Sequence, residues 1–321
     1  MFYIITIICI LSIIVYFYFV KRKTKSIINE KIILTGKKYY IEILPKKENP
    51  HYVIHYNHSL IPTYPPDINI YPKTLNALTA SVILNPGDML YIPIGWYHCV
   101  VSEGDCIALS TNVMDREEDD AIKHIKNLSK IDYSEHTTMN VDYSNVDSET
   151  FKLCVDDSIP VLIKGYNVNH INRDYLVSKI GNKKISLGVS DNSSINSVSK
   201  PTISDTTQIV NATYNDYVMI SDDIKYKNKY IYMGQSLVDN DEIEYNIPEF
   251  WKNTFENKKY IVGMWCSNKK IDTGIHYDIT HNLLHVITGK KTVYLYPPSE
   301  KKNLYIKEMI RTTKEGIIMK K

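Results

Sequence analysis

The sequence predicts a mainly β fold with some helix, preceded by one transmembrane helix. Short runs rich in Ile, Val and Tyr are cut by Pro, Gly and Asn, one central stretch has helical spacing, and the first twenty residues hold a long uncharged apolar run. The 321 residues are 44% hydrophobic and 23% charged, which is ordinary for globular proteins and excludes a wholly disordered chain. The formal charge of +2 gives no case for a nucleic-acid partner.

Residues 2–20 form the predicted membrane anchor. These 19 residues carry no charge, and a helix of that length nearly covers the hydrocarbon core of a bilayer, which is about 30 Å thick. The basic residues that follow, from Lys21 to Lys25, place the rest of the chain on the cytosolic side. A cleaved signal peptide is the competing interpretation, but the segment lacks a basic start and a small-residue cleavage site. We therefore expect a single-pass membrane protein with lipid as one partner and a cytosolic soluble part.

Strand-like runs occupy most of the remaining chain, and Pro, Gly and Asn interrupt them. Residues 114–150 differ, because an acidic start is followed by Ala121, Ile125 and Leu128 on one helix face. We expect one short helix there and then a polar tether. The predicted strands are Tyr39–Leu44, Ser81–Leu84, Met89–Ile92, Cys106–Asn112, Val161–Ile163, Lys229–Met233, Tyr260–Trp265 and Thr292–Tyr296.

His276 and Asp278 form an H-x-D pair in a segment that we expect to be a strand. Residues two apart in a strand face the same side, so the imidazole and the carboxylate project together. Such a pair supplies two of the three ligands of a 2-His-1-carboxylate triad, which holds Fe(II) on one side and leaves other positions open. Because H-x-D is common by chance, the pair carries weight only with its context.

Two longer blocks supply that context. Gly87 to Val100 reads G-D-x-L-x-I-P-x-x-W-x-H-x-V, and His276 to Pro298 reads H-x-D-x-x-x-N-L-L-x-x-x-x-G-x-K-x-x-x-L-x-P-P. Together they resemble the JmjC, or cupin-like, Fe(II)/2-oxoglutarate hydroxylases, and most of all the branch that includes the factor-inhibiting asparaginyl hydroxylase. The resemblance covers roughly residues 35–113 and 157–298. It implies a double-stranded β-helix, which is a cupin or jelly-roll-like fold.

The resemblance also implies the cofactors and the site. The metal is Fe(II), the cosubstrate is 2-oxoglutarate, and no catalytic side chain is implied beyond the metal ligands. The implied metal ligands are His276, Asp278 and His98. The implied cosubstrate-binding residues are Lys291, which pairs with the far carboxylate, Thr273 and Tyr232 beside that carboxylate, and Asn282 and Asn112 along the pocket.

The two blocks stand in the reverse of the family order, since H-x-D normally precedes W-x-H. A repeat fits this reversal: Thr35 to Lys38 and Thr288 to Lys291 both read T-G-K-K and precede a strand pattern that ends in Pro. We interpret the chain as two incomplete tandem copies. The predicted domains are the anchor and basic flank (1–25), a back half (32–113), a helical and polar linker (114–156), a front half (157–300) and a basic tail (301–321).

Three arrangements of the halves follow. They complement each other within one chain, chains exchange halves in a dimer or with another protein, or each half persists as a remnant with open sheet edges. We favour the first arrangement, in which the strands 35–45 and 288–297 compete for one place in the sheet.

The leading hypothesis is a membrane-anchored JmjC-domain protein that hydroxylates a protein substrate with Fe(II) and 2-oxoglutarate. The alternative is a non-catalytic single-pass membrane protein that keeps degenerate cupin halves as a binding or structural surface. Of the other histidines, His281 and His285 are interpreted as non-ligands. His51, His55 and His58 are interpreted as polar residues of a surface loop.

Overall fold

A computed structural model describes most of the chain after the first fifty residues. The described residues are 33–34, 37–38, 58–61, 64–134, 138–193, 208–306, 312–313 and 316–317. The chain divides into two compact units, 1–43 and 44–321. In the first, Ile33–Leu34 pairs with Lys37–Lys38. The predicted membrane span at 2–20 and the predicted strand Tyr39–Leu44 lie outside the described residues. No helix in the described part of the chain has the length and apolar character that crossing a membrane requires.

The second unit is built on one sheet of twelve strands, antiparallel except for one parallel pair. In chain order the strands are β1 (Ala80–Leu84), β2 (Met89–Ile92), β3 (Tyr97–Val113), β4 (Met139–Asp142), β5 (Val161–Lys164), β6 (Lys184–Ser190), β7 (Gln208–Thr213), β8 (Tyr230–Val238), β9 (Tyr260–Asp272), β10 (His276–Tyr277), β11 (His281–Thr288) and β12 (Lys291–Tyr296). The main path through the sheet runs β4-β5-β2-β11-β3-β9-β8-β6-β7, with β12 between β1 and β3 and with β10 beside β3.

The strands of the front segment, β1 to β3, pair only with strands from the rear of the chain. β1 pairs with β12, β2 pairs with β5 and β11, and β3 pairs with β9, β10, β11 and β12. The front and rear segments of the chain therefore contribute strands to one sheet, and their origin as two incomplete tandem copies stays a prediction. Strand β12 lies between β1 and β3, which is the place in the sheet for which we expected two candidate strands. Most of the other candidate, residues 35–45, lies outside the described residues.

The core lies between two layers of this folded sheet. Side chains of β1 and β12 pack against side chains of β2 and β11 in a single buried cluster. Alternate residues of a strand face one side, so each strand contributes every second residue to that cluster. This is the mainly β, cupin or jelly-roll-like architecture that the sequence predicts. Members of the cluster include Val82, Leu84, Leu90, Ile92, Leu284, Val286, Val293 and Leu295.

Six α-helices in the described part of the chain flank the sheet. They are α1 (Glu118–Leu128), α2 (Ser148–Asp156), α3 (Arg173–Ile180), α4 (Tyr214–Asp222), α5 (Asn240–Ile243) and α6 (Glu249–Thr254). Helix α1 begins with three acidic residues, which suit the positive end of the helix dipole. It buries Ala121, Ile122, Ile125 and Leu128, the face that the sequence predicts.

The linker 114–156 is more structured than the expected polar tether. After α1 it forms β4, which extends the sheet parallel to β5, and then α2. Helix α2 begins at an Asp147 cap that accepts a hydrogen bond from the Thr150 amide, and it buries Phe151 against Phe250 of α6. The exposed side of α2 is mostly polar apart from Leu153, so the composition of this segment did not predict that its other side is buried.

The predicted basic tail also contributes to the fold. Leu304 is fully buried, and Ile306 forms an isolated bridge with Ser59. This corrects the interpretation of residues 301–306 as a tail. The apolar run from Leu304 to Ile306 is short and lies between lysines, so it shows no hydrophobic period that would predict packing.

Candidate metal centre

His98, His276 and Asp278 come together at one end of the folded sheet. One ligand atom from each lies within 4.8 Å of the others, and within the described residues this is the one such cluster of His, Cys, Asp or Glu side chains. His98 is on β3 and faces His276 on β10 directly across the pairing. His98 Nε2 lies 3.7 Å from Asp278 Oδ2. The three predicted ligands, separated by up to 180 positions in the chain, therefore share one site.

A tight turn before β3 fixes the backbone on both sides of this site. The amide of Trp96 donates to the carbonyl of Pro93, and the amide of Gly95 donates to the carbonyl of Asp278 over 3.0 Å. Gly95 has a φ of +80°, and a Cβ at this position would lie 2.7 Å from a side-chain carbon of Ile125. A glycine is thus required for the turn that joins the two halves of the site.

The hydrogen bonds of the two histidines leave the correct nitrogen free for a metal. His98 Nδ1 lies 3.0 Å from the carbonyl oxygen of Trp96, and His276 Nδ1 lies 3.1 Å from that of Gly274. A carbonyl oxygen only accepts, so each Nδ1 carries the proton and each Nε2 keeps its lone pair. Two such imidazoles and one carboxylate are a donor set that fits a divalent iron.

The protonation state of His98 agrees with this arrangement. Burial and the neighbouring His276 lower the pKa of His98 to about 4, although Asp278 and the hydrogen bond to Trp96 act in the opposite direction. His98 is therefore neutral near pH 7, which is the form that binds metal.

Lys291 lies at the far end of the same interior face. It is 1% exposed, and its Nζ donates to Ser102 Oγ over 2.8 Å. Lys291 and Ser102 are directly opposite on β12 and β3, as are Leu295 and His98. Since 98 and 102 are an even number of residues apart on one strand, the amine and the histidine face the same interior. The place of Lys291 suits a group that binds a carboxylate inside the barrel.

Thr273 and Tyr232 lie along the same region. Thr273 Oγ1 accepts a hydrogen bond of 3.2 Å from the amide of Val100, which is between His98 and Ser102 on β3. Burial raises the pKa of Tyr232, and the nearby Cys106 adds to the effect. Tyr232 is directly opposite Ser267 of β9, which is directly opposite Cys106 of β3, so the phenol projects from the same face of the sheet as Cys106.

Asn112 and Asn282 face each other directly on β3 and β11. Asn112 Nδ2 donates to Ser110 Oγ over 2.8 Å, and Ser110 Oγ donates to Asn282 Oδ1 over 2.9 Å. Thr280 Oγ1 donates to Asn112 Oδ1 over 3.3 Å. The structure thus joins the two predicted asparagines in one polar network, and Ser110 is the link that the sequence reasoning missed.

Ser102 and Ser110 had a signal in the sequence. Together with His98 and Asn112 they occupy even positions of β3, so polar residues recur on one face of the strand among the apolar Val100, Cys106 and Ala108. His281 and His285, in contrast, lie on the opposite face of β11 from Leu284 and Val286, where they contact Tyr91 and Tyr166. They are not members of the metal cluster.

The candidate site residues taken from the sequence did not include His58. Its ring stacks on that of His276, with centroids 5.2 Å apart and an interplanar angle of 14°. His58 also forms an isolated bridge with His276, so it extends the pairing on the free side of β10. The interpretation of His58 as a polar residue of a surface loop is therefore corrected, whereas His51 and His55 lie outside the described residues.

A known protein family matches the stretches of the chain that carry this site. The sequence profile described as "Cupin-like domain" matches residues 28–114 and 147–318, which is most of the chain. The chain belongs to the cupin-like domain family. The two matched stretches are the two parts of the cupin-like fold whose strands interleave in the sheet, and all the residues of the candidate site lie within them.

Three curated proteins are similar in sequence to this chain. "Putative JmjC domain-containing protein L887" of Acanthamoeba polyphaga mimivirus is 25% identical over 254 residues, which are 74% of this cupin-like chain and 37% of that protein. "Lysine-specific demethylase JMJ31" of Arabidopsis thaliana is 33% identical over 88 residues, 25% of this chain and 16% of that protein. "JmjC domain-containing protein A" of Dictyostelium discoideum is 25% identical over 175 residues, 51% of this chain and 68% of that protein. The chain thus spans well under half the length of the first two relatives.

Proposed function

We propose that this protein is an Fe(II)- and 2-oxoglutarate-dependent hydroxylase of the JmjC type that acts on a protein substrate. The observation that carries the proposal is the meeting of His98, His276 and Asp278 within 4.8 Å, with both Nδ1 atoms held by backbone carbonyls. When bound, Fe(II) with 2-oxoglutarate and O2 supplies the oxidising chemistry for hydroxylating a C–H bond. The relatives that carry the JmjC name support the same reaction class.

The side chains of this protein have separate tasks in that reaction. His98, His276 and Asp278 would hold the ion, which would supply the oxidising chemistry together with the cosubstrate and O2. Lys291 and Ser102 bind the far carboxylate of 2-oxoglutarate, because a buried amine with a hydroxyl partner favours an anion. Burial of the amine excludes water from that contact and strengthens it.

Anaerobic binding of Fe(II) and 2-oxoglutarate tests the proposal without a known substrate. The purified full chain in detergent is titrated with both, and the visible absorption that 2-oxoglutarate gives when it chelates Fe(II) is recorded. We expect the band in the wild type and in His170→Ala, which removes an exposed histidine, and no band in His276→Ala. Conversion of 2-oxoglutarate to succinate in air is then measured on the same three proteins.

Equal signals in the wild type and in His276→Ala would remove the enzyme interpretation. Absence of both the band and the turnover in the wild type would favour the non-catalytic membrane protein with degenerate cupin halves. The branch of the asparaginyl hydroxylases is tested by whether an Asn-containing peptide gains one oxygen atom in mass.

Demethylation of a methylated lysine is a second candidate. It is favoured by the demethylase from Arabidopsis thaliana, which is 33% identical over the matched 88 residues. Hydroxylation of an N-methyl group gives an unstable product that releases formaldehyde. Release of formaldehyde from methyl-lysine peptides therefore indicates demethylation, whereas a stable gain of one oxygen atom indicates hydroxylation.

The apolar segment 2–20 is proposed to anchor the protein in a membrane, with the cupin-like part on the cytosolic side. The uncharged run and the basic residues after it support this orientation. We expect the full chain to stay with membranes after alkaline washing and a variant without residues 2–20 to be released. Release of both proteins would refute the anchor and leave the enzyme proposal untouched.

A further inference from the structure

Three histidines lie in register at the metal site, two on neighbouring strands and one in a segment that forms an isolated bridge beside them. His276 on β10 is directly opposite His98 of β3 on one side and forms the isolated bridge with His58 on the other. Directly opposite residues of antiparallel strands project from the same face of the sheet. The three imidazoles therefore form a row on one face, with His276 in the middle.

The ring of His276 is confined from several directions. Its Nδ1 donates to the carbonyl of Gly274, but one hydrogen bond leaves the ring free to tilt about that contact. The ring of His98 lies 4.3 Å from it, tilted by 53°, and the ring of His58 lies nearly parallel to it at 5.2 Å. The nearly parallel ring of His58 packs beside that of His276 and so opposes a change in the plane of the ring.

The segment that carries His58 is itself firmly attached. The amide of Ser59 donates to the carbonyl of Ile275 over 2.8 Å, and Ser59 Oγ donates to the carbonyl of Leu304 over 2.6 Å. The amide of Leu60 donates to the carbonyl of Tyr305, and Ile61 is 2% exposed. These bonds join the segment to β10 on one side and to the end of the fold on the other, which holds His58 against the ligand.

We propose that His58 is a positioning residue of the metal centre, which fixes the ring plane of His276 and with it the direction of the Nε2 lone pair. This inference rests on the proposed function. His58 is not a ligand in this account, because the atoms within 4.8 Å of one another belong to His98, His276 and Asp278. A planar ring of another kind at position 58 therefore suffices, whereas a side chain of similar size that is not planar does not.

Cobalt binding to the full chain tests the role of His58. Co(II) is titrated into the wild type, His58→Phe, His58→Leu and the control His170→Leu, and its visible spectrum reports both affinity and coordination geometry. Loss of a residue that orients a metal ligand costs about 10- to 100-fold in affinity. We expect at least a tenfold weaker affinity and an altered spectrum for His58→Leu, and values close to the wild type for His58→Phe and His170→Leu. Thermal unfolding without metal identifies any variant that has lost its fold.

The outcomes separate this inference from the function on which it rests. If the wild type binds no Co(II), the metal site and the proposed function both fail. If the wild type binds Co(II) and His58→Leu matches it, only the positioning role is overturned. If His58→Phe is as weak as His58→Leu and both lose one nitrogen ligand in the spectrum, His58 is a ligand and the positioning role is again overturned. If His58→Leu does not fold, agreement of His58→Phe with the wild type supports the role and weak binding by that variant opposes it.

Discussion

Lys291 is a buried amine whose one described hydrogen-bond partner is the hydroxyl of Ser102. The described part of the chain offers it no carboxylate within ion-pair distance. Burying an ammonium without an opposite charge costs free energy, so a fold retains such a group where it serves another purpose. Binding of an anionic cosubstrate is that purpose in the present proposal.

Replacing Lys291 by Met should separate binding from stability. We expect the affinity for 2-oxoglutarate in the presence of metal to fall at least about tenfold, because a charge-assisted hydrogen bond contributes roughly 1.5–3 kcal/mol. The free energy of unfolding should stay the same or rise, since Met fills the space without a buried charge. Calorimetric titration and denaturant unfolding measure the two. Lys290→Met, at the exposed neighbouring position, is the matched control, and an unchanged affinity in Lys291→Met would contradict the assignment.

His285 couples the stability of the fold to pH. It is fully buried, its Nε2 donates to the carbonyl of Tyr166 over 2.9 Å, and its Nδ1 has no hydrogen-bond partner among the described residues. Burial lowers the pKa of His285 to about 4, against 6.5 for an exposed histidine. Between these two values the unfolded chain binds the proton more tightly, so stability falls as the pH is lowered from about 6.5 towards 4.

A substitution at His285 should reduce this pH dependence. His285→Leu cannot take up the proton in the unfolded state, so the loss of stability between pH 7 and pH 4.5 should shrink by up to about 3 kcal/mol. Some dependence should stay, because the pKa of His98 is also lowered. Denaturant unfolding at the two pH values measures it, with His170→Leu at an exposed position as the control. The same pH dependence in His285→Leu and in the wild type would refute the coupling.

At the residue scale, the sequence could predict the candidate metal ligands and Lys291 but not every residue that contacts them. His98, His276, Asp278 and Lys291 stand in two recognisable blocks, and the structure brings them onto one interior face. His58 could not be found in this way, because its place beside His276 depends on a pairing between residues 218 positions apart. Register over such a distance is set by the tertiary fold and leaves no local pattern.

At the scale of elements, β11 and β12 are consecutive strands that do not pair with each other. Both pair with β3, β11 with its second half and β12 with its first. The turn between them therefore crosses the backbone of β3 closely. Gly289 makes this crossing with a φ of +76°, and a Cβ there would lie 2.2 Å from the carbonyl oxygen of Asp105.

Gly289→Ala should consequently destabilise the protein strongly. A positive φ costs a residue with a Cβ about 1–2 kcal/mol, and the overlap with a backbone atom adds to this, so we expect a loss of at least about 3 kcal/mol. Gly165→Ala is the matched control, because Gly165 has a φ of +89° and nothing lies within 4 Å of its added Cβ. It should lose only about 1–2 kcal/mol. Denaturant unfolding compares the two variants, and equal losses would show that the crossing is not close.

The strand predictions agreed with the structure where apolar residues follow one another closely. They missed elements in which polar residues separate the apolar ones. Met89–Ile92 was predicted with the observed bounds, and Cys106–Asn112 is a part of the much longer β3. Helix α2 and strands β6 and β7 carry many polar residues, so the sequence analysis placed α2 in a linker and predicted no strand at β6 or β7. Burial of a few residues such as Phe151 decides these elements, and burial depends on partners elsewhere in the chain.

At the scale of the whole molecule, the fold and the site depend on the same interleaving. Every strand of the front segment has its partners in the rear, and β10, β11 and β12 of the rear have their strand partners in the front. The sequence indicates two motif blocks in reversed order, and their interpretation as halves of two tandem copies stays a prediction. It did not decide between complementation in one chain and exchange between chains, because both use the same strand contacts. The structure forms these contacts within one chain, and the metal cluster then draws ligands from both parts.

Separating the halves should abolish both the fold and the metal site. Cleavage sites are placed in residues 135–137, and the fragments 1–134 and 138–321 are also produced alone. Strands β1 to β3 do not pair with one another. We therefore expect neither fragment alone to unfold cooperatively or to bind Co(II). The full chain that is cut after folding should keep both properties, because the sheet holds the pieces together. Circular dichroism during denaturation and Co(II) titration measure them, and a fragment 138–321 that folds and binds Co(II) by itself would show that the front segment is dispensable.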